Sequence, residues 1–243
     1  MPACPDMLLP YFPLHTVLFP HLPLPLQIFE ERYRAMTRDL LSPRNAYEGR
    51  FVVSMITDGP EVGGNARTRR VGTVCEIRSA EQLADGRYIL LAVGVARAAL
   101  GEIDHAGPYA TVQIEPLDEL DGAGAESLLP DAQAALDGYL TTVKQFVAAA
   151  ASHASDSREV TSVADSLEEV LKPIRLPDDP LAASYAIGGV LQIELTRKQR
   201  LLELPDAATR LRAEIDLLRR ESSLLADGAM PPVSTADLTF NPN

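Results

Sequence analysis

Arg67, Arg69 and Arg70 fall within four positions at the end of a Gly-containing loop, and they form the one concentrated basic feature of the chain. Guanidinium groups so close together can bind an acidic peptide or a phosphate group, because each offers a planar fork of donors. A solvated loop accounts for them equally well. The other reactive residue types are scattered. His15, His21, His105 and His153 share no helical spacing, and prolines separate the first two, so polar turn or surface roles are expected. Cys75 lies inside the apolar run VGTVCEI. A nucleophilic thiolate needs a cationic or helix-N-terminal setting, so a buried, inert thiol is expected there, with Cys4 near the terminus. Asp118, Glu119 and Asp121 cluster in a Gly-containing stretch that reads as a solvated acidic linker. A working acid/base pair would instead place two carboxyls in contrasting environments.

The sequence also lacks the motifs that position common chemistry. It has no G-x-x-x-x-G-K-[ST] phosphate cradle, no G-x-G-x-x-G after a strand, no G-x-S-x-G elbow and no H-E-x-x-H. No catalytic residue, cofactor or metal site is expected.

Composition narrows the function classes further. The 243 residues include 22 Lys+Arg against 34 Asp+Glu, a formal net charge of -12. That balance argues against a general nucleic-acid or anionic-membrane binder, since both need a cationic surface. Hydrophobic residues at 46% and charged residues at 23% are globular values, enough for a core without staples. Two cysteines are too few for a disulfide scaffold or a four-thiolate zinc site and fit a reducing compartment. Prolines interrupt every apolar run of the N-terminus, no run reaches membrane-spanning length, and a soluble cytoplasmic protein is expected.

The elements that position these residues change character along the chain. Leu22, Leu24, Leu26 and Ile28 alternate with prolines and Gln27, a period of two that marks a strand. Pro23 and Pro25 cannot donate to a ladder and place that strand at an edge or bulge. Phe29, Tyr33, Met36 and Leu40 line one face of a short helix that Ser42-Pro43 ends. Strands are predicted at RFVVSMI, VGTVCEI, RYILLAVGV and YATVQIEPL, with a hairpin turn at Asp85-Gly86. Beyond Leu117 the chain becomes acidic, then Ala-rich and helical. Leu136, Leu140, Val143 and Val147 form a stripe, His153 to Ser157 breaks it, and Val160 to Leu171 is a second helix. Asp178-Asp179-Pro180 starts a further helix, Thr196 caps RKQRLLEL, and Pro205-Asp206 opens the last one. On that last helix Ala208, Leu211, Ile215, Leu218 and Leu225 form a heptad-like seam, whose simplest use is packing on other helices.

The order of elements predicts an α+β fold, β-rich first and helical second. The boundaries are a β-rich subdomain at 1–117, an acidic linker at 118–130, a helical bundle at 131–225 and a disordered tail at 226–243.

One stretch carries more than its physics. Phe12-Pro13-Leu14, Leu18-Phe19-Pro20, Pro25-Leu26, Ile28-Phe29-Glu30 and Arg32-Tyr33 follow one another over Leu9 to Met36, and this series resembles the opening signature of the Lon protease N-terminal domain. VGTVCEI, the hairpin DGRYILLAVGVAR, and LQIELTRKQRLLELPDAATRLRAEIDLL are similar to later parts of the same family. The resemblance implies a PUA-like β pseudo-barrel with one short helix, followed by a C-terminal α-helical bundle. It also implies a non-catalytic module that recognises unfolded or hydrophobic polypeptide segments. The chain stops where that family's ATPase and protease domains would begin, so a stand-alone domain is expected. The motif residues themselves have structural reasons to be there: the prolines fix extended backbone, and Leu14, Leu26 and Ile28 supply core.

Two other uses stay open. An adaptor would dock on a partner ATPase or protease through Leu211, Ile215 and Leu218. RNA binding, which the net charge opposes, would use the loop of Arg67, Arg69 and Arg70.

Overall fold

Alternating apolar residues build seven strands: β1 (Met7–Leu14), β2 (Pro23–Ile28), β3 (Arg50–Asp58), β4 (Arg67–Thr68), β5 (Val71–Gln82), β6 (Tyr88–Asp104) and β7 (Thr111–Pro116). Five helices accompany them among the described residues: α1 (Glu31–Leu40), α2 (Ala125–His153), α3 (Pro180–Val190), α4 (Leu195–Leu202) and α5 (Ala207–Ala226). The computed structural model describes residues 7–44, 46–61, 66–153 and 174–226. Cys4, the break expected beyond His153, the helix expected at Val160 to Leu171 and the tail from 227 onward lie outside the described residues. The fold is α+β.

The chain divides into two compact units. Of the described residues, the first holds those up to Glu119 together with Glu194–Glu203, and the second holds Leu120–Ile193 and those from Leu204 onward. In the first unit, β1 pairs with β7, β7 with β6, β6 with β5 and β5 with β3, all antiparallel. A parallel pairing of β1 with β3 closes the ring. Each strand of this five-stranded barrel sends alternate side chains inward. Leu9, Tyr11, Val52, Val74, Ala98, Leu100, Val112 and Ile114 fill the interior. Their neighbours Phe12, Leu14, Phe51, Val53 and Cys75 point outward into a second cluster. Leu24, Leu26 and Ile28 of β2, with Tyr33, Met36 and Leu40 of α1, cover that cluster. Cys75 is fully buried there, and burial pushes its thiol well above the ordinary range, as an inert thiol requires.

Helix α4 belongs with the strands, not with the helical bundle in which its place in the sequence had put it. The Gln199 side chain donates to the Val71 carbonyl at 3.0 Å, and Leu201 and Leu202 are buried with it. Thr196 lies inside this helix and does not cap it: the N-cap is Glu194, whose side chain makes no capping bond. The Leu202 carbonyl accepts from Arg97 Nη1 at 3.0 Å. Arg97, on β6, is only 2% exposed. It also donates from Nε to both Glu119 carboxylate oxygens at 3.2 Å and from Nη2 to the Asp118 carbonyl at 2.9 Å. So the stretch at 118–130 is not all solvated linker, although Asp118 and Asp121 stay exposed. Glu119 is the counter-ion of a buried arginine, and α2 already begins at Ala125.

In the second unit α5 packs on α2 and α3. Leu136 and Leu140 of the expected stripe are buried. The Asp179 side chain caps α3 by accepting from Ala182 N–H at 2.7 Å, with Pro180 next to it, and Asp206 caps α5 by accepting from Thr209 N–H at 2.7 Å. Arg210 is fully buried, donates to Ser184 Oγ at 2.9 Å and to the Leu204 carbonyl at 3.1 Å, and lies over the Tyr185 ring at 4.4 Å. Glu214, one turn along, is also fully buried, and neither of its carboxyl oxygens has a hydrogen-bond partner. Burial pushes that carboxyl well above its ordinary value, against the pull of Arg210.

Two stability predictions follow from these buried charges. Arg97→Ala takes the counter-charge from Glu119, which keeps only the backbone N–H of residue 97 from that position, and the donors from two carbonyls, and is expected to cost about 3–5 kcal/mol in urea unfolding. For Glu214, both states hold the proton below the unfolded value of about 4.5. Above it, the unfolded chain releases the proton while the folded chain keeps it. Stability therefore falls as pH rises from there toward the raised folded value. Glu214→Gln removes this slope and is more stable than the parent at neutral pH; urea midpoints measured across the range check both points.

Candidate functional site

The first unit carries an open apolar face on three neighbouring strands. β6 is flanked by β2 on one side and β5 on the other over Tyr88 to Val93. The pairs Leu24–Ala92, Leu26–Leu90 and Ile28–Tyr88 turn their side chains into the core. The intervening residues must therefore face outward. These are Pro23, Pro25 and Gln27 on β2, opposite Val93, Leu91 and Ile89 on β6, which are in turn opposite Glu76, Ser79 and Glu81 on β5. Ile89 is 40% exposed and Leu91 39%. Phe29 follows Ile28 and continues the outward parity of β2, also 40% exposed. It precedes α1 and is not on that helix's inward face, which Tyr33, Met36 and Leu40 form without it.

The supports of this face are short-range and specific. α1 is tied to the turn between β5 and β6 by Arg34 Nε, which donates to the Gly86 carbonyl at 2.8 Å. Gly86 adopts φ of 83°, and a side chain at that position would meet the Arg34 guanidinium. Arg32 pairs with Glu30 at 3.0 Å and lies over the Tyr33 ring at 4.3 Å, which fixes the entry to α1 beside Phe29. Tyr109 donates to Asp39 at 2.9 Å at the far end of that helix. Most charges around the strands are paired locally, Arg78 with Glu76 and Arg87 with Asp85, both at 2.7 Å. Glu81 has no ion-pair partner among the described residues.

The six residues singled out by sequence meet different fates. Leu211, Ile215 and Leu218 are buried inside the second unit, where α5 packs on its neighbours. They offer no docking face, so the adaptor reading through this seam is withdrawn. Arg67 opens β4 and Arg69 and Arg70 follow it, and their backbone carbonyls accept from Thr57 Oγ1, Ser54 Oγ and Leu100 N–H respectively. Arg67 stands across from Asp58 on β3. Arg67 and Arg70 are exposed and Arg69 is half-buried. The two groups fall in different units.

Other features offer less. Among the described residues no group of three or more His, Cys, Asp or Glu side chains could hold a metal ion, and His15 is engaged with Glu61 at 3.0 Å. Burial pushes Lys198 of α4 down to about 8. A groove of about 600 Å³ in the second unit runs along Leu129, Pro130 and residues 174–178. Its amide, Gln133, is already bonded to the backbone of Ile174 and Leu176. Among the described residues no helix is long and apolar enough to cross a membrane.

A family model described as the ATP-dependent protease La (LON) substrate-binding domain matches residues 8–220. The chain belongs to the Lon substrate-binding domain family. Curated relatives include a Lon protease from Trichlorobacter lovleyi, 27% identical over 90% of this chain, and one from Escherichia coli, 25% identical over 89%. The chain spans about a quarter of their length, 24% and 26% respectively. Two solved structures share the fold. The N-terminal domain of Mycobacterium avium complex Lon protease superposes with a TM-score of 0.59 at 18% identity, covering 88% of this chain and 98% of that one. A Lon N-terminal domain protein from Xanthomonas campestris gives 0.54 at 19% identity, covering 86% and 98%. The matched residues are those of the Lon substrate-binding domain, so the β-rich opening and the helical second half both belong to one Lon-type unit of sequence.

Ile89 and Leu91 were not singled out by sequence because RYILLAVGV reads as a continuous apolar run. A continuous run is what a strand buried on both faces shows, and it hides which parity stays in water. The signal that could have found them is Pro23 and Pro25, which mark the neighbouring strand as an edge.

Proposed function

We propose that this chain is a non-catalytic polypeptide-binding module that takes unfolded or apolar segments on the face of Phe29, Ile89, Leu91 and Pro25. The observation that carries the reading is that Ile89 and Leu91 are left 39–40% exposed on a strand whose opposite face is core, with Phe29 equally exposed just past the end of the paired β2. Scattered single exposures are ordinary on protein surfaces, whereas a contiguous row on one ribbon marks an interaction site. The family description supports the class of ligand, since it names substrate binding in a protease whose substrates are polypeptides. A flexible segment with a few apolar side chains would gain roughly 1.5–3 kcal/mol for each one fully buried, and it would lose part of that to ordering. Weak, sequence-tolerant binding is the result, suited to sampling many polypeptides.

The test titrates a reduced, unfolded model protein, without nucleotide, against the parent and against the Ile89→Asp, Leu91→Asp double variant. The parent is expected to bind in the micromolar range, and the variant more than about tenfold more weakly, a loss of over 1.4 kcal/mol. Equal binding by a still-folded double variant removes this face from the function.

A further inference from the structure

The ribbon has two long edges, and they are built differently. The Gly94 N–H donates to the Leu22 carbonyl at 3.0 Å, which sets the parity of the β2–β6 ladder. Leu24, Leu26 and Ile28 therefore exchange bonds with β6, while positions 23, 25 and 27 turn their backbone to the outer edge. Two of these three are prolines, which have no N–H to offer an incoming strand. That edge is closed to strand addition.

The β5 edge is not closed. The Leu83 N–H donates to the Arg87 carbonyl at 2.8 Å, so Leu83, Glu81 and Ser79 bond to β6. Ala80 and Gln82 then turn their N–H and C=O groups away from β6. The pairing of β3 with β5 ends at Glu76, and no described strand lies alongside 78–82. All five residues are exposed, and none is proline. A register shift between Ile77 and Ser79 marks where the barrel ladder ends and this free edge begins.

We propose that an extended apolar polypeptide segment adds as a strand alongside Ser79–Gln82, making β5 an interior strand. The inference rests on the polypeptide-binding reading above and specifies how the segment is held. Backbone groups of Ala80 and Gln82 pair with the segment, and its alternate side chains extend the outward face that already carries Ile89 and Leu91. Charge sets one further feature of the occupant. Glu81 lies on that same face, directly beside Ile89, without an ion-pair partner among the described residues. The residue opposite it in an added strand is favoured as Lys or Arg and disfavoured as Asp or Glu. The net charge of -12 acts in the same direction. The occupant is therefore an extended apolar segment bearing a basic residue.

The probe is a short fluorescein-labelled peptide that alternates leucine with threonine and carries one lysine among the leucines, read by anisotropy on the full chain. Two further peptides carry N-methyl groups on opposite sets of alternate amides. Only one set faces the β5 edge in the added strand, so one methylated peptide is expected to bind at least tenfold more weakly than the other. Ala80→Pro removes an N–H that bonds to nothing in this fold, and is expected to weaken the parent peptide at least tenfold without lowering the thermal midpoint. The methylated pair decides the matter if Ala80→Pro fails to fold, because the protein is then unaltered. Equal binding of the two methylated peptides, with Leu91→Asp still abolishing binding, overturns strand addition and leaves the apolar face standing. Failure of the parent peptide and of unfolded protein to bind at all overturns the polypeptide reading, and strand addition with it.

Discussion

Arg97 is a full positive charge with almost no access to water, and separate stretches of chain converge on it. Its side chain reaches the Glu119 carboxylate, the Asp118 carbonyl and the Leu202 carbonyl at once. A buried guanidinium is tolerated only when its donors are matched, since its desolvation otherwise costs several kcal/mol. The matching groups come from the two places where the chain passes out of the first unit. Glu119 is the last residue before the first exit, and Leu202 comes one residue before the second exit at Glu203. One side chain thus ties the end of the barrel to α4. The Leu120 and Asp121 carbonyls then receive the Ala207 and Ala208 N–H groups at 2.9 and 2.7 Å, so the opening of α5 is anchored on the segment that leads into α2.

This arrangement explains which parts of the fold were legible in sequence. Strands β2, β3, β5, β6 and β7, the Asp85-Gly86 turn and the caps at Asp179 and Asp206 show in local pattern, whereas β4 (Arg67–Thr68) lies in a stretch whose composition reads as loop. The placement of α4 does not. KQRLLEL reads as one more amphipathic helix, and nothing within it says that Gln199 will meet the Val71 carbonyl 128 positions earlier. The same applies to Glu119, which is indistinguishable from its solvated neighbours until Arg97 is placed beside it. Long-range pairing of one buried charge with one carboxylate has no periodicity to betray it.

The candidate face was hidden for a related reason. An apolar run on β6 fits a strand buried on both sides, and the sequence does not say that one side is left in water. The family signature was no guide here, because its residues are mostly structural. Leu14, Leu26 and Ile28 are core, and Arg32 and Glu30 pair beside α1. Only Pro25 and Phe29 belong to both the signature and the exposed face. The heptad-like seam on α5 misled in the opposite direction: its spacing fits a docking helix and a packed bundle helix alike, and here Leu211 and Leu218 are wholly enclosed.

An open apolar ribbon facing solvent invites self-association, and its two edges limit it in different ways. Prolines at 23 and 25 deny the β2 edge to any strand, which prevents the ribbon from growing in that direction. The β5 edge is short, and Arg78 and Glu81 guard it with charge, a common protection against uncontrolled pairing. Two copies meeting along β5 would bring two chains of net charge -12 together. A basic or neutral segment meets no such repulsion. On the strand-addition proposal, the same acidity that argued against nucleic acid at the outset disfavours a second copy of this chain and favours an apolar polypeptide bearing a positive charge.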